Sequence, residues 1–128
     1  IETVPENIFD GIIDFFSQRI NSLQNSGVSS ERIILDPGMG FFLGSNPETS
    51  IYVLKNIFRV KEYFKLPILV SVSRKSFLGT IVGRGVNERT PATLAAEIYI
   101  SYMGVDYIRT HDVRALSDAL KVLGMLNC

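Results

Sequence analysis

The chain has 128 residues, 46% of them hydrophobic, and its 13 basic and 13 acidic residues give a formal net charge of zero. No basic run able to grip nucleic-acid phosphates is present, and apolar stretches such as Leu66 to Val72 are too short to cross a membrane. The single cysteine, Cys128, excludes a disulfide framework or a cysteine metal site within one chain. No signal-peptide pattern opens the sequence, so a cytoplasmic protein is expected. The chain starts at Ile1 rather than Met and is long enough for one modest core, which suggests a fragment or a processed product.

In chain order the first element is a helix from Pro5 to about Gln24, with apolar residues at Ile8, Ile12, Phe15, Phe16, Ile20 and Leu23. Asn25-Ser26-Gly27 stops it. Ile33-Ile34-Leu35 then reads as a short buried parallel strand that meets a loop at Asp36-Pro37-Gly38. A second helix is expected from about Pro47 to Phe64, capped by Ser45 or Asn46, with Glu48 at the positive end of its dipole. A second strand, Ile68 to Val72, gives way to Ser73-Arg74-Lys75-Ser76 and a flexible region from Gly79 to Glu88. Thr90-Pro91 starts a third helix whose apolar residues are Leu94, Ala95, Ile98 and Met103, and Gly104 ends it. A third strand, Asp106 to Ile108, runs into Arg109-Thr110-His111-Asp112, and a helix from Arg114 to Leu126 follows.

This alternation predicts an α/β fold with a parallel sheet covered by helices, and no linker divides the chain into two domains. An open doubly wound sheet and part of a (β/α)-barrel both fit. Three strands cannot close a barrel and make a thin open sheet, which points to missing chain.

Each predicted strand is apolar until its C-terminal end and then turns polar. The three clusters are residues 36–41, residues 73–76 and residues 109–112. In α/β folds the C-terminal strand ends share one mouth, so a carboxylate, several cations and the only histidine would meet in one pocket. Each has a plainer reading. Asp36 before Pro37-Gly38 forms an Asx-type turn, Arg74 and Lys75 are solvated loop charges, and His111 is structural or exposed. Their equivalent places in successive βα units favour a site. Gly38 and Gly40 permit close approach of a planar ligand, and Phe41 offers a ring for stacking or packs beneath the loop. Arg109 and His111, two apart on an extended segment, suit a phosphate or diphosphate, while Asp36 would accept from an amino-substituted heterocycle. One histidine and scattered carboxylates make no recognised metal-ligand spacing.

Leu35-Asp36-Pro37-Gly38-Met39-Gly40-Phe41, Ser73-Arg74-Lys75-Ser76-Phe77-Leu78-Gly79 and Arg109-Thr110-His111-Asp112-Val113, in this order and separation, resemble the dihydropteroate synthase family across essentially the whole chain. The resemblance implies the C-terminal part of a TIM (β/α)8 barrel, its last three strands with four helices. It implies an enzyme that joins 6-hydroxymethyl-7,8-dihydropterin diphosphate to 4-aminobenzoate, releasing diphosphate and forming 7,8-dihydropteroate for folate biosynthesis. By resemblance Asp36, Gly40, Lys75 and Arg109 bind the pterin. Gly40, Phe41, Ser73 and Arg74 serve 4-aminobenzoate, Arg109 and His111 bind diphosphate, and Lys75, Arg109 and His111 form the catalytic set. Mg²⁺ assists through a ligand in the N-terminal part, and a homodimer is implied for the intact enzyme. The family's small residue and Lys after the first motif are replaced here by Phe42-Leu43-Gly44, and residues 38–50 and 71–78 are more similar to acquired sulfonamide-resistance enzymes than to housekeeping ones.

Two rivals share parts of this pattern. A methyltetrahydrofolate methyltransferase-like barrel shares the pterin-facing Asp, but residues 73–76 and the Arg109/His111 pair argue for the synthase. A non-enzymatic barrel remnant that binds a partner is the other. The 128-residue chain alone is expected to be inactive.

Overall fold

The computed structural model describes residues 5–38 and 47–127. The first helix, α1 (Pro5–Asn25), buries Ile12 and Phe16 and stops where Gly27 takes φ 94°, with the Val28 amide donating back to the Leu23 carbonyl at 2.9 Å. The proposed caps at Ser45 and Asn46 lie outside the described residues.

The single helix expected from Pro47 to Phe64 is two: α2 (Pro47–Lys55) and α3 (Ile57–Phe64). Asn56 divides them. Its side-chain amide donates to the Tyr52 carbonyl at 2.8 Å, competing with the backbone for that acceptor, and its own backbone leaves the helical region at ψ 11°. α3 ends on Lys65 in the left-handed conformation, immediately before Leu66-Pro67.

The parallel sheet holds β1 (Leu69–Val70) and β2 (Tyr107–Ile108), with Leu69 opposite Tyr107 and Val70 opposite Ile108. The expected first strand is reduced to one parallel bridge, Leu35 opposite Ile68. It is not wholly buried either: Ile33 and Leu35 are, but Ile34 is 49% exposed. The alternation explains both facts. Ile33, Leu35, Ile68, Val70 and Val72 point into the helices, while Ile34 and Tyr107 belong to the other face.

Residues 79–88, expected to be flexible, are largely helical. α4 (Ser76–Val82) buries Phe77, Leu78 and Gly79, and a 3₁₀ turn covers Val86–Glu88. α5 (Thr90–Tyr102) and α6 (Val113–Leu126) follow expectation in extent, and the Asp112 carboxylate caps α6 by accepting from the Ala115 amide at 3.0 Å. Six α-helices therefore stand among the described residues, where four were expected. The core joins α1, α2, α3, α4 and α5 to the strands through Ile12, Leu54, Ile57, Phe77 and Ile100. Among the described residues no helix is long and apolar enough to cross a membrane.

The inner rows are locked by Asp106. Its Oδ2 accepts from the Ile68 amide at 2.9 Å, and its Oδ1 pairs with Lys61 Nζ at 2.8 Å. The Lys61 hydrogen bond, helped by the Ile68 amide, holds the Asp106 carboxyl below its ordinary range, against a smaller opposing effect of burial. Because the folded state binds this proton less tightly than the unfolded chain, the stabilisation is complete above the unfolded carboxylate range and is lost as pH falls through it. Asp106→Ala should cost about 1–2 kcal/mol at pH 7, chiefly by orphaning the Ile68 amide. In denaturant titrations the gap between wild type and variant should narrow as pH drops below about 4. Ile100→Ala, at a side chain with no exposed surface, should cost about 2–5 kcal/mol at either pH.

Candidate active site at the strand ends

The observed register fixes which strand-end residues share a face. Leu35 lies opposite Ile68, and Leu69 lies opposite Tyr107. Counting on along the three segments aligns Asp36 with Leu69 and Tyr107, then Gly38 with Ser71 and Arg109, then Ser73 with His111. By alternation Asp36, Gly38 and Arg109 lie on the face turned away from the helices, whereas Ser73 and His111 stand in the turns beyond the strands and border α5. The last row is closed by contact. The His111 amide donates to Ser73 Oγ at 3.2 Å, and His111 Nδ1 lies 2.7 Å from the same oxygen. The hydroxyl accepts from the amide and pairs with Nδ1, so both the backbone and the ring of His111 are held by one oxygen. Ser73 is buried, and His111 and Arg109 are exposed.

Asp36 does form the Asx-type turn: its Oδ1 accepts from the Gly38 amide at 2.9 Å, and Gly38 has φ 67°. That bond fixes the carboxylate at the mouth, exposed and one row before Arg109. Gly40 and Phe41 lie outside the described residues. Lys75 is half-buried at the N-cap position of α4, with its amide bonded to the Val72 carbonyl at 3.2 Å.

Arg74 carries the backbone strain of the site, at φ 59°. A non-glycine residue in this region costs about 1 kcal/mol or more and needs outside support. The support comes from α5. Thr93 Oγ1 accepts from the Arg74 amide at 3.0 Å, and Arg89 Nη1 donates to the Arg74 carbonyl at 2.9 Å. The Arg89 guanidinium passes over Gly79, where a Cβ would collide with it. Gly79 is thus required for this brace rather than for loop flexibility.

The structure brings together Ser73, Arg74 and His111 around a small polar cavity of about 40 Å³, which Thr93, Glu97 and Thr110 also line. Asp36 and Lys75 are not among its lining residues. Glu97 and Thr93 were not singled out from sequence. The apolar pattern of α5 pointed to Leu94, Ala95 and Ile98 as its inner face, whereas the fully buried positions are Thr93, Glu97 and Ile100. The available signal was the helical spacing of 93, 97 and 100, which a count of apolar residues skips because two of the three are polar. Burial raises the affinity of the Glu97 carboxyl for its proton, the Thr110 hydrogen bond opposes this, and the Asp112 charge adds to the rise.

Among known proteins, the pterin binding enzyme family matches residues 2–111. A type-3 dihydropteroate synthase of Escherichia coli is 58% identical over 122 residues, which are 95% of this chain and 46% of that protein. The chain therefore spans about half the length of the curated relatives it matches. The dihydropteroate synthase of Anaplasma phagocytophilum, solved with bound 6-hydroxymethylpterin-monophosphate, superposes with a TM-score of 0.88 at 35% identity, covering 98% of this chain and 48% of that one. The Xanthomonas albilineans enzyme, solved with 4-aminobenzoic acid, gives 0.86 at 29% identity over 94% of this chain and 44% of its own. With its motifs aligned across one face of a parallel sheet, the chain belongs to the pterin binding enzyme family.

Proposed function

We propose that the protein carrying this chain is a dihydropteroate synthase, and that the chain forms the last three strands of its (β/α)8 barrel. The observation that carries the reading is the shared row order at the C-terminal strand ends: Asp36, then Arg109, then His111 on Ser73. The similarity to synthases at 58% and 35% identity supports it.

On this reading the amine of 4-aminobenzoate attacks the pterin methylene carbon while the bond from that carbon to the diphosphate oxygen breaks. The bonding electrons leave with diphosphate, and the amine loses a proton. Charge develops on the leaving group, so cationic and N–H donors fixed in advance at that end lower the barrier. Arg109 offers a planar fork and stacks over the pterin, and His111, held by Ser73, offers a further donor. Asp36 accepts from the pterin amino and ring N–H groups, and Lys75 meets the polar edge of the ring. Ser73 and Arg74, with Gly40 and Phe41, line the 4-aminobenzoate side. Mg²⁺ would neutralise diphosphate charge when bound. Its protein ligand is read as belonging to the N-terminal part of the barrel. The enzyme is further read as a cytoplasmic homodimer, on the sulfonamide-resistant side of the family.

In the full-length protein, His111→Ala should lower kcat roughly 100-fold with little change in KM for 4-aminobenzoate. Asp36→Asn should raise KM for the pterin diphosphate by about tenfold or more. Steady-state assays that follow diphosphate release check both, and unchanged kinetics in both variants would remove the proposed roles. The 128-residue chain alone should show no turnover. Calorimetry with a pterin diphosphate analogue, comparing it with Asp36→Asn and Lys75→Ala, then tells whether the strand ends bind without the rest.

A further inference from the structure

Glu97 is the one buried ionisable group among the described residues that the proposed chemistry does not use. It lies on α5 with 1% of its surface exposed, at the depth of Ile100 and directly behind the strand-end residues. Its carboxyl group borders the small cavity beside Thr110, whose side chain lowers its proton affinity by hydrogen bonding, and its Oε2 has no partner among the described residues. An ion or acid held at such depth is costly unless it fixes something.

The group it touches is the residue between Arg109 and His111. Thr110 Oγ1 also accepts from the Asp112 amide at 3.2 Å. A hydroxyl that accepts there has its one proton free to donate to Glu97, so a chain runs from the Asp112 N–H through Thr110 to the carboxyl group. On the wall of the same small cavity, Ser73 Oγ takes the His111 amide and meets His111 Nδ1. Thr110 and His111 both border the small cavity with Glu97, while Arg109, before them, is not among its lining residues. The segment is clamped from behind by Glu97 and from the side by Ser73. The charged groups facing Glu97 across the small cavity are Arg74 on the β1–α4 turn, and His111 and Asp112 on the β2–α6 turn.

We propose that Glu97 is a positioning residue that holds Thr110, and through it sets the spacing and direction of the Arg109/His111 pair that receives the diphosphate. The inference rests on the synthase reading of that pair. It assigns Glu97 no contact with substrate. Removing it should weaken recognition of the diphosphate end more than that of the 4-aminobenzoate end, because Arg74 keeps its own braces from Thr93 and Arg89.

The test uses the full-length protein with Glu97→Leu, Glu97→Gln and Thr110→Val, assayed for both substrates and for inhibition by inorganic diphosphate. Glu97→Leu should raise KM for the pterin diphosphate and the inhibition constant of diphosphate by about tenfold, with KM for 4-aminobenzoate within about twofold of wild type. Glu97→Gln, which can still accept from Thr110, should recover most of that loss. Thr110→Val should reproduce the Leu effect, and combining it with Glu97→Leu should add little, as expected for two members of one chain. Thr110→Val also stands in if Glu97→Leu does not fold, since it leaves the carboxyl in place. Diphosphate and pterin constants unchanged in Thr110→Val, or KM for both substrates raised alike, would overturn the proposal. A wild-type protein that turns over neither substrate would instead overturn the synthase reading beneath it.

Discussion

The structure depends on one strand being hydrogen-bonded on both sides. The Leu69 amide donates to the Leu35 carbonyl at 2.8 Å and the Leu35 amide to the Pro67 carbonyl at 2.9 Å, while the Tyr107 and Arg109 amides donate to Ile68 and Val70 at 3.0 and 3.1 Å. Ile68, Val70 and Val72 have no exposed surface, so this strand cannot shift without emptying the core. Its register is what aligns the site. A slip of one residue would turn Arg109 toward the helices and take His111 off Ser73. Packing energy and site geometry are therefore the same constraint, and Asp106, tied to both Ile68 and Lys61, fixes where the count begins.

α5 supplies the second half of the arrangement. Arg89 before its first turn, Thr93 and Glu97 follow one another at intervals of four and so share a stripe. Arg89 and Thr93 hold Arg74 in its left-handed conformation, and Glu97 reaches Thr110. One helix thus braces the turn after β1 and the turn after β2 with polar contacts, while Ile100 further along the same stripe anchors it in the core. The cost of burying polar groups at two of these positions is offset by the geometry they impose on two otherwise independent loops.

The sequence made the alternation of elements and the polar strand ends readable, because both depend on local patterns. Ile33 to Leu35, Ile68 to Val72 and Asp106 to Ile108 stand where parallel pairing is found, and α1, α5 and α6 have nearly the expected limits. What it hid depends on partners. The break at Asn56 comes from a side chain that satisfies Tyr52, and the apolar residues on either side of it continue the helical period without interruption. The sequence from Gly79 to Glu88 suggests a flexible region, yet Gly79 admits the Arg89 guanidinium and Gly83 ends α4 at φ 66°. Strand lengths were overestimated because apolar character continues past the last paired residue. Of the site residues, Asp36, Ser73, Arg74, Lys75, Arg109 and His111 are found at the strand ends as expected, and the buried residues behind them were invisible to any count of hydrophobic positions.

This division between front and back residues has a consequence for how the site responds to change. Arg109 and His111 are exposed, so altering their side chains removes interactions with a ligand while leaving the core intact. Ser73, Thr93 and Glu97 are buried, and each is bonded to a neighbouring strand end or turn. Altering them disturbs folding and ligand geometry together, because the same bond serves both. Stability and affinity should therefore vary independently across the exposed set and together across the buried set. A buried substitution that kept full stability but lost affinity would mean that its bond orders the loop only when ligand is present. The 2.7 Å contact between Ser73 and His111 ties the two strand ends directly, so the bonds that hold this half of the site are among those that hold the turns in place.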